Sequence, residues 1–262
     1  MSIRNIVPAL AFLAATLFAV DASATRSDTA KEARWAEQVI DGLLDGDETW
    51  LDDGGGHEFL GVLTEGDGAS GRAVLLVHGI GVHPNWPDVI YPLRAGLLEA
   101  GITSLSIQMP ILPNEAESAE YPPLFAEVPG RIGAALDLLA DAGYPQVTLV
   151  AHSMGASMST FYLSQASSAR VDSVVLIGMG PGIDGSENIE RLAKVRVPVF
   201  DLYGGKDLEQ VLASADKRAA AGRSAAPDFH QHSVAGANHF FQGHETELVA
   251  QVLGWIERQD AR

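Results

Sequence analysis

The sequence contains no cysteine. No disulfide can staple the fold and no lipid-modified cysteine can tether it, so stability must come from packing. Basic residues are also scarce: 17 Lys and Arg stand against 34 Asp and Glu, a net charge of -17. That balance repels phosphate backbones and anionic surfaces within a Debye length, which argues against nucleic acid as a partner and otherwise serves solubility. There is no H-E-x-x-H pair, and His78 with His83 alone make no metal site, so neither a metal nor a cofactor is expected. Internal repeats and long low-complexity stretches are missing too. A chain of 262 residues with 47% hydrophobic content is enough for one domain with a substantial core.

The apolar run from Ile6 to Val20 is interrupted by Pro8 and falls short of the roughly 20 residues that a bilayer span requires. With Arg4 before it and Ala22-Ser23-Ala24 after it, the run has the form of a secretory leader cleaved after Ala24. Residues 1–24 are therefore expected to be a signal peptide and residues 25–262 a single domain, periplasmic or secreted, with no membrane span after cleavage.

Thr29 to Leu44 places Trp35, Val39 and Leu43 on one helical face, which predicts an N-terminal helix packed on the main body. Glu58 to Leu63 reads as a strand. Short β-branched runs follow at Ala73 to Val77, Thr103 to Ile107, Val147 to Val150, Val174 to Ile177, Val197 to Tyr203 and Phe229 to Val234. Between them lie helical periodicities such as Val89, Leu93 and Leu97, or Val128, Ile132, Ala135 and Leu139. Strands apolar on both faces that alternate with helices predict an α/β fold, a mostly parallel central sheet with helices on both faces. In such sheets ligands bind beyond the carboxyl ends of the strands.

At one such strand end stands "LVAHSMGAS", 149–157. A strand, a tight turn at Ser153 and a helix opening with small residues form the setting of a nucleophile elbow. The usual pattern is G-x-S-x-G, and Ala151 replaces its first glycine. A serine that merely caps the following helix is the plainer alternative.

"LLVHGIG" near 75–81, then "LVAHSMGA", then an acid and a histidine in that order, resembles the α/β-hydrolase superfamily over nearly all of residues 58 to 257. The stretch "HPNWPDVIYPLRAGLLEAGITSLSIQMP" is also similar to an uncharacterised group of exported bacterial proteins within it. The resemblance implies an α/β-hydrolase fold with a Ser, acid, His order. His239 in "AGANHFF" stands between the last strand and the final helix, where the base is expected, while His230, His232 and His244 have structural explanations. For the acid, Asp207 follows the strand in "VFDLYGGKDLEQV", although with Gln210 it also reads as a capping box. Asp184 in "GPGIDG" remains the alternative, and Asp201 lies inside an apolar run. The backbone N–H of Met154, next after the nucleophile, is one oxyanion donor, and the resemblance points to that of Ile80 as the other. His83 and Trp86 either line the pocket or pack over the strand ends.

Gly180-Pro-Gly-Ile-Asp-Gly185 matches a dinucleotide fingerprint, but Pro181 and the polar run after it predict a loop rather than the helix such a motif opens. The function expected is a serine hydrolase acting on a small-molecule acyl substrate through Ser153, His239 and Asp207. A hydrolase-fold protein of the cell envelope that binds without turnover is the opposing class. Only sixteen residues, 181–196, separate two strands where a lid commonly enters, so little or no lid and an open, short-chain pocket are expected. The proline-rich loop 110–125 could fold over the site instead.

Overall fold

The computed structural model describes residues 26–68, 71–165 and 170–261, so the leader expected at 1–24 lies outside the described residues. The strands are β1 (Asp47–Asp52), β2 (Glu58–Thr64), β3 (Arg72–Val77), β4 (Ser104–Ile107), β5 (Gln146–His152), β6 (Val171–Ile177), β7 (Val199–Lys206) and β8 (Phe229–Asn238). They form one eight-stranded sheet in the order β1-β2-β4-β3-β5-β6-β7-β8. β3 to β8 run parallel, and β1 and β2 add an antiparallel margin. The helices are α1 (Thr29–Asp41), α2 (Ile90–Glu99), α3 (Val128–Asp141), α4 (Met154–Gln165), α5 (Glu187–Leu192), α6 (Glu209–Ala225) and α7 (Glu245–Asp260). Among the described residues no helix is long and apolar enough to cross a membrane.

Alternating side chains divide the core into two layers. On β3, Ala73, Leu75 and Val77 join the core beneath α3 and α4, with Ile132, Leu136 and Met158. Val74 and Leu76 point the other way, to Leu93 and Leu97 of α2 and Leu248, Val252 and Ile256 of α7. Every residue of β3 is buried, which is why the strand reads as an unbroken apolar run.

β1 has no such signature. In Asp47-Glu-Thr-Trp-Leu-Asp52 only Leu51 is buried, and the segment becomes a strand by pairing with β2 from Asp47↔Leu63 to Asp52↔Glu58. α1 closes at Asp41, with Gly42 as its C-cap, short of the expected Leu44. It docks through Ala36 and Val39 on Leu60 and Val62. A charged anchor lies deeper. Glu32, 4% exposed, accepts hydrogen bonds from Arg131 of α3 at 2.8 and 3.0 Å and from the Ser27 hydroxyl, and His57 Nε2 lies 2.9 Å from it.

A second buried pair explains Asp201. On β7 its carboxylate is fully buried and receives Arg218 Nε of α6 at 2.9 and 3.2 Å and Gln231 Nε2 of β8 at 2.8 Å. Arg218 Nη1 continues to the Val211 carbonyl and to Ser214 Oγ, both at 2.7 Å. The interaction locks α6 to the sheet, and α6 begins two residues after Asp207. Replacing Arg218 by Met would leave a buried carboxylate without its cation. The expected cost is about 3–5 kcal/mol of unfolding free energy, read from urea denaturation; unchanged stability would mean that the pair contributes nothing.

Candidate active site

β3 lies between β4 and β5, so the strand order reverses there and opens a crevice beyond the carboxyl ends of β3 and β5. Ser153 stands at that place. Its φ is 55°, a left-handed conformation that a non-glycine residue adopts only at a cost of order 1–2 kcal/mol. Its N–H is held by the Ile177 carbonyl at 2.8 Å. Two residues on, a Cβ at Gly155 would come within 2.3 Å of the His78 carbonyl and 2.7 Å of that of Val77, so helix α4 can approach β3 only because Gly155 has none. Ala151 is fully buried within β5, paired with Val77 and Leu176. Its methyl sits in the sheet's packing and does not block the turn.

The structure brings Ser153, His239 and Asp207 together. His239 Nε2 is 2.9 Å from Ser153 Oγ, and His239 Nδ1 is 2.6 Å from Asp207 Oδ1. Asp207 is enclosed and also accepts the N–H of Leu208 at 2.7 Å and that of Gly204 at 3.1 Å. Burial pushes its pKa up, but the His239 hydrogen bond and charge together with the two amides outweigh it and hold the carboxyl below its usual value. An ionised Asp207 fixes the proton of His239 on Nδ1 and leaves Nε2 to accept from the serine. The capping box with Gln210 does not form: α6 starts at Glu209 after Leu208, and the Asp207 carboxylate is committed to His239. Asp184 is exposed in the loop before α5, where its N–H binds the Glu187 carboxylate at 2.9 Å, and it takes no part in this chain.

Three residues to which the sequence assigned no positioning role hold the arrangement. His152, buried at the end of β5, contacts the backbone carbonyl of His239 through Nε2 at 2.9 Å. Burial, with the His239 ring beside it, pushes His152 down to about 4, so it is neutral and donates. His78, buried after β3, donates from Nδ1 to the Gly79 carbonyl at 2.7 Å, and its Nε2 accepts the Met109 N–H at 2.9 Å. Gly178, at φ 59°, ends β6; a Cβ there would stand 3.0 Å from the His239 ring and 3.4 Å from Asp207 Oδ2. His78 and His152 do stand inside the two quoted motifs, "LLVHGIG" and "LVAHSMGA", whereas Gly178 has no such signal.

Ser153 and His239 open into a cavity of about 700 Å³ that Ile80 and Met154 also line. Met154 is the first residue of α4, so its N–H has no acceptor within the helix. Two short 3-10 turns, Ser118–Glu120 and Pro122–Ala126, supply one wall through Ser118, Pro122 and Phe125. The connection from β6 to β7 holds α5 and no lid domain; its stretch 180–185 is a loop and not a helix start. His83 and Trp86 are not in the cavity wall. They pack on Trp35 of α1, with ring centroids 4.9 and 6.3 Å from it.

A family model described as protein of unknown function (DUF3530) matches residues 4–126 and 113–258. No curated protein matches the chain. Among solved structures it is similar to Est1E from Butyrivibrio proteoclasticus, with a TM-score of 0.65 at 12% identity over 83% of this chain and 100% of that one. The Pyrococcus furiosus esterase Pf2001 gives 0.67 at 13% over 82% and 92%, and the dienelactone hydrolase from Anabaena variabilis 0.66 at 21% over 82% and 98%. These likenesses show the α/β-hydrolase fold.

Burial also forces His78 down to about 3, against about 6.5 in an unfolded chain. The unfolded state therefore takes up the proton first. The stability that neutral His78 contributes is complete above about pH 6.5 and drains as the pH falls toward about 3. Melting temperature should fall steadily across that window, and His78→Asn should flatten the slope. An identical slope in the variant would place the acid sensitivity elsewhere.

Proposed function

The chain belongs to the family described as protein of unknown function (DUF3530), and on that footing we propose that it is a serine hydrolase that cleaves an ester or related acyl bond. What carries the proposal is the unbroken hydrogen-bonded chain from Ser153 Oγ through His239 to Asp207, at the floor of a cavity. Similarity in fold to the esterase Pf2001 and to a dienelactone hydrolase agrees with it.

The chemistry follows from the placement of donors and acceptors. Ser153 Oγ attacks the acyl carbon as His239 Nε2 takes its proton, and Asp207 stabilises the imidazolium through Nδ1. The negative charge that develops on the carbonyl oxygen is met by the backbone N–H groups of Met154 and Ile80. The imidazolium then protonates the departing oxygen, leaving an acyl-serine. A water, deprotonated by His239, cleaves that ester and returns the hydroxyl to Ser153. We read the activity as periplasmic or secreted, on the leader pattern of residues 1–24.

The direct test is a fluorophosphonate probe with mass-spectrometric mapping. Ser153 should carry the label, and Ser153→Ala should lose both labelling and turnover, the latter by about 10³-fold or more. A folded protein that remains unlabelled would support binding without turnover.

Among neutral acyl chains, short ones should serve best. Each buried methylene is worth about 0.8 kcal/mol, but beyond Met154 the cavity wall carries Ser157, Asn188 and Arg191. The gain in kcat/KM from acetyl toward dodecanoyl esters should therefore stop early. A rise continuing to the longest chain would overturn the short-chain preference.

A further inference from the structure

Arg191 lines the cavity although it belongs to α5. Its guanidinium lies over the ring of Phe125 at 5.1 Å and over that of Phe161 at 5.2 Å. The two rings meet edge to face at 85° with centroids 5.3 Å apart, so the cation rests in an aromatic corner. Nη1 donates to Asn188 Oδ1 at 3.1 Å. Asn188 is buried, and its Nδ2 is held by Ser157 Oγ at 2.7 Å and the Gly180 carbonyl at 3.1 Å, which fixes the way its amide faces. A guanidinium has five N–H donors in a rigid fork. Among the described residues no carboxylate forms an ion pair with it.

The nearest acids do not use those donors. Glu187 accepts the Asp184 N–H with both oxygens at 2.9 Å, and the exposed Glu190 accepts from Ser186 Oγ at 3.1 Å. Glu187 also lines the cavity, so the region is not a net positive well. Selection there would rest on directed N–H donors rather than on field.

Placement relative to the nucleophile is set by α4. Ser157 and Phe161 lie four apart on one stripe of α4, and the Ser157 N–H ties the helix to the Ser153 carbonyl at 3.2 Å. Phe161 therefore stands about 10 Å along the axis from Met154, the residue next to the nucleophile, at about 1.5 Å per residue. Ser157 accepts from Asn188, which leaves its own hydroxyl hydrogen for an acceptor in the cavity. His239, which must protonate the leaving group, follows β8, whereas Arg191 belongs to α5 packed on α4, so the leaving group is assigned to the His239 side and the acyl part to the Arg191 side.

We propose that the substrate's acyl chain ends in a carboxylate, and that Arg191 binds this carboxylate while the reacting carbonyl stands at Ser153. The inference deepens the serine-hydrolase reading and rests on it. It names the substrate class as half-esters of dicarboxylic acids, or acyl groups of equal length that end in a carboxylate. Arg191 acts as the specificity-determining residue, with Asn188, Phe125 and Phe161 positioning it.

The test compares p-nitrophenyl half-esters, from succinyl to sebacyl, with neutral p-nitrophenyl esters of matched length. In the wild type the ratio of kcat/KM, half-ester over neutral ester, should exceed about tenfold at an intermediate length, as charge-assisted hydrogen bonds allow. The ratio should fall to about one in Arg191→Gln and stay partly elevated in Arg191→Lys, which keeps the charge and loses the fork. A wild-type ratio of one or less, or one that Arg191→Gln leaves intact, overturns the inference. Should neither variant fold, the wild-type ratio and its length optimum still decide. Failure of the hydrolase reading shows separately, as an unlabelled Ser153 with no turnover of any ester. In that event calorimetry of monomethyl suberate with the wild type and Arg191→Lys decides: tighter binding by the wild type supports the anion site, and equal or absent binding removes it.

Discussion

The turn from β5 into α4 within one left-handed residue is the constraint on which the site depends. A serine at φ 55° is unfavourable by itself, and it persists because both flanking elements are fixed. β5 is buried between β3 and β6, and the Ser153 N–H is tied to Ile177 of β6. On the other side α4 closes against the β3 carbonyls at a distance that only Gly155 permits. The strain therefore sits where the sheet is most over-determined, and the Ser153 hydroxyl is presented at the topological switch point with little freedom to turn away.

Around that point three imidazoles are kept neutral. His78, His83 and His152 are all driven by burial well below the usual imidazole range, and each then serves as a neutral hydrogen-bonding strut. His78 ties the turn after β3 to Met109 after β4, across the crevice. That turn carries Ile80. His152 holds the His239 backbone, and Gly178 leaves room for its ring. Asp207 is the exception, kept ionised by two amides and by His239. One anchored carboxylate thus orients one imidazole through a direct hydrogen bond.

The parallel sheet was legible because strands buried on both faces are apolar at nearly every position, as in Ala73–Val77. β1 was not, since a marginal strand that buries only Leu51 carries no alternation. Ser153 and His239 could be read from a local setting, a strand end followed by small residues in one case and the junction of the last strand and helix in the other. The choice between Asp207 and Asp184 could not. Both follow strands beside glycines, and what separates them is that one carboxylate turns inward to His239 while the other lies exposed. The bracing roles of His152 and His78 were not legible because they depend on backbone groups brought close by the fold, the His239 carbonyl and the Met109 N–H. Arg191 escaped because "ENIERL" reads as a solvated helix, and the rings that hold it come from α4 and from the turn at Phe125.

The cavity combines exposed apolar residues with a braced polar group. Ile80, Ile183 and Leu208, all exposed apolar residues, stand in its lining, and exposed Phe240 adjoins His239. The same lining holds the buried Asn188 with half-buried Ser157 and Arg191, beside buried Phe125 and Val211. A pocket made for a hydrocarbon tail would place its polar groups at the entrance and its apolar ones beyond, since unpaired inner donors lose hydration when a chain covers them. Here the polar groups are already cross-braced, Asn188 to Ser157 and Gly180, Arg191 to Asn188. Bracing of that kind holds donors ready for an acceptor brought in from outside, and aliphatic packing would gain nothing from it. The arrangement matches a substrate whose ends are polar and whose middle is not, with the bond to be broken at one end and the recognised group at the other.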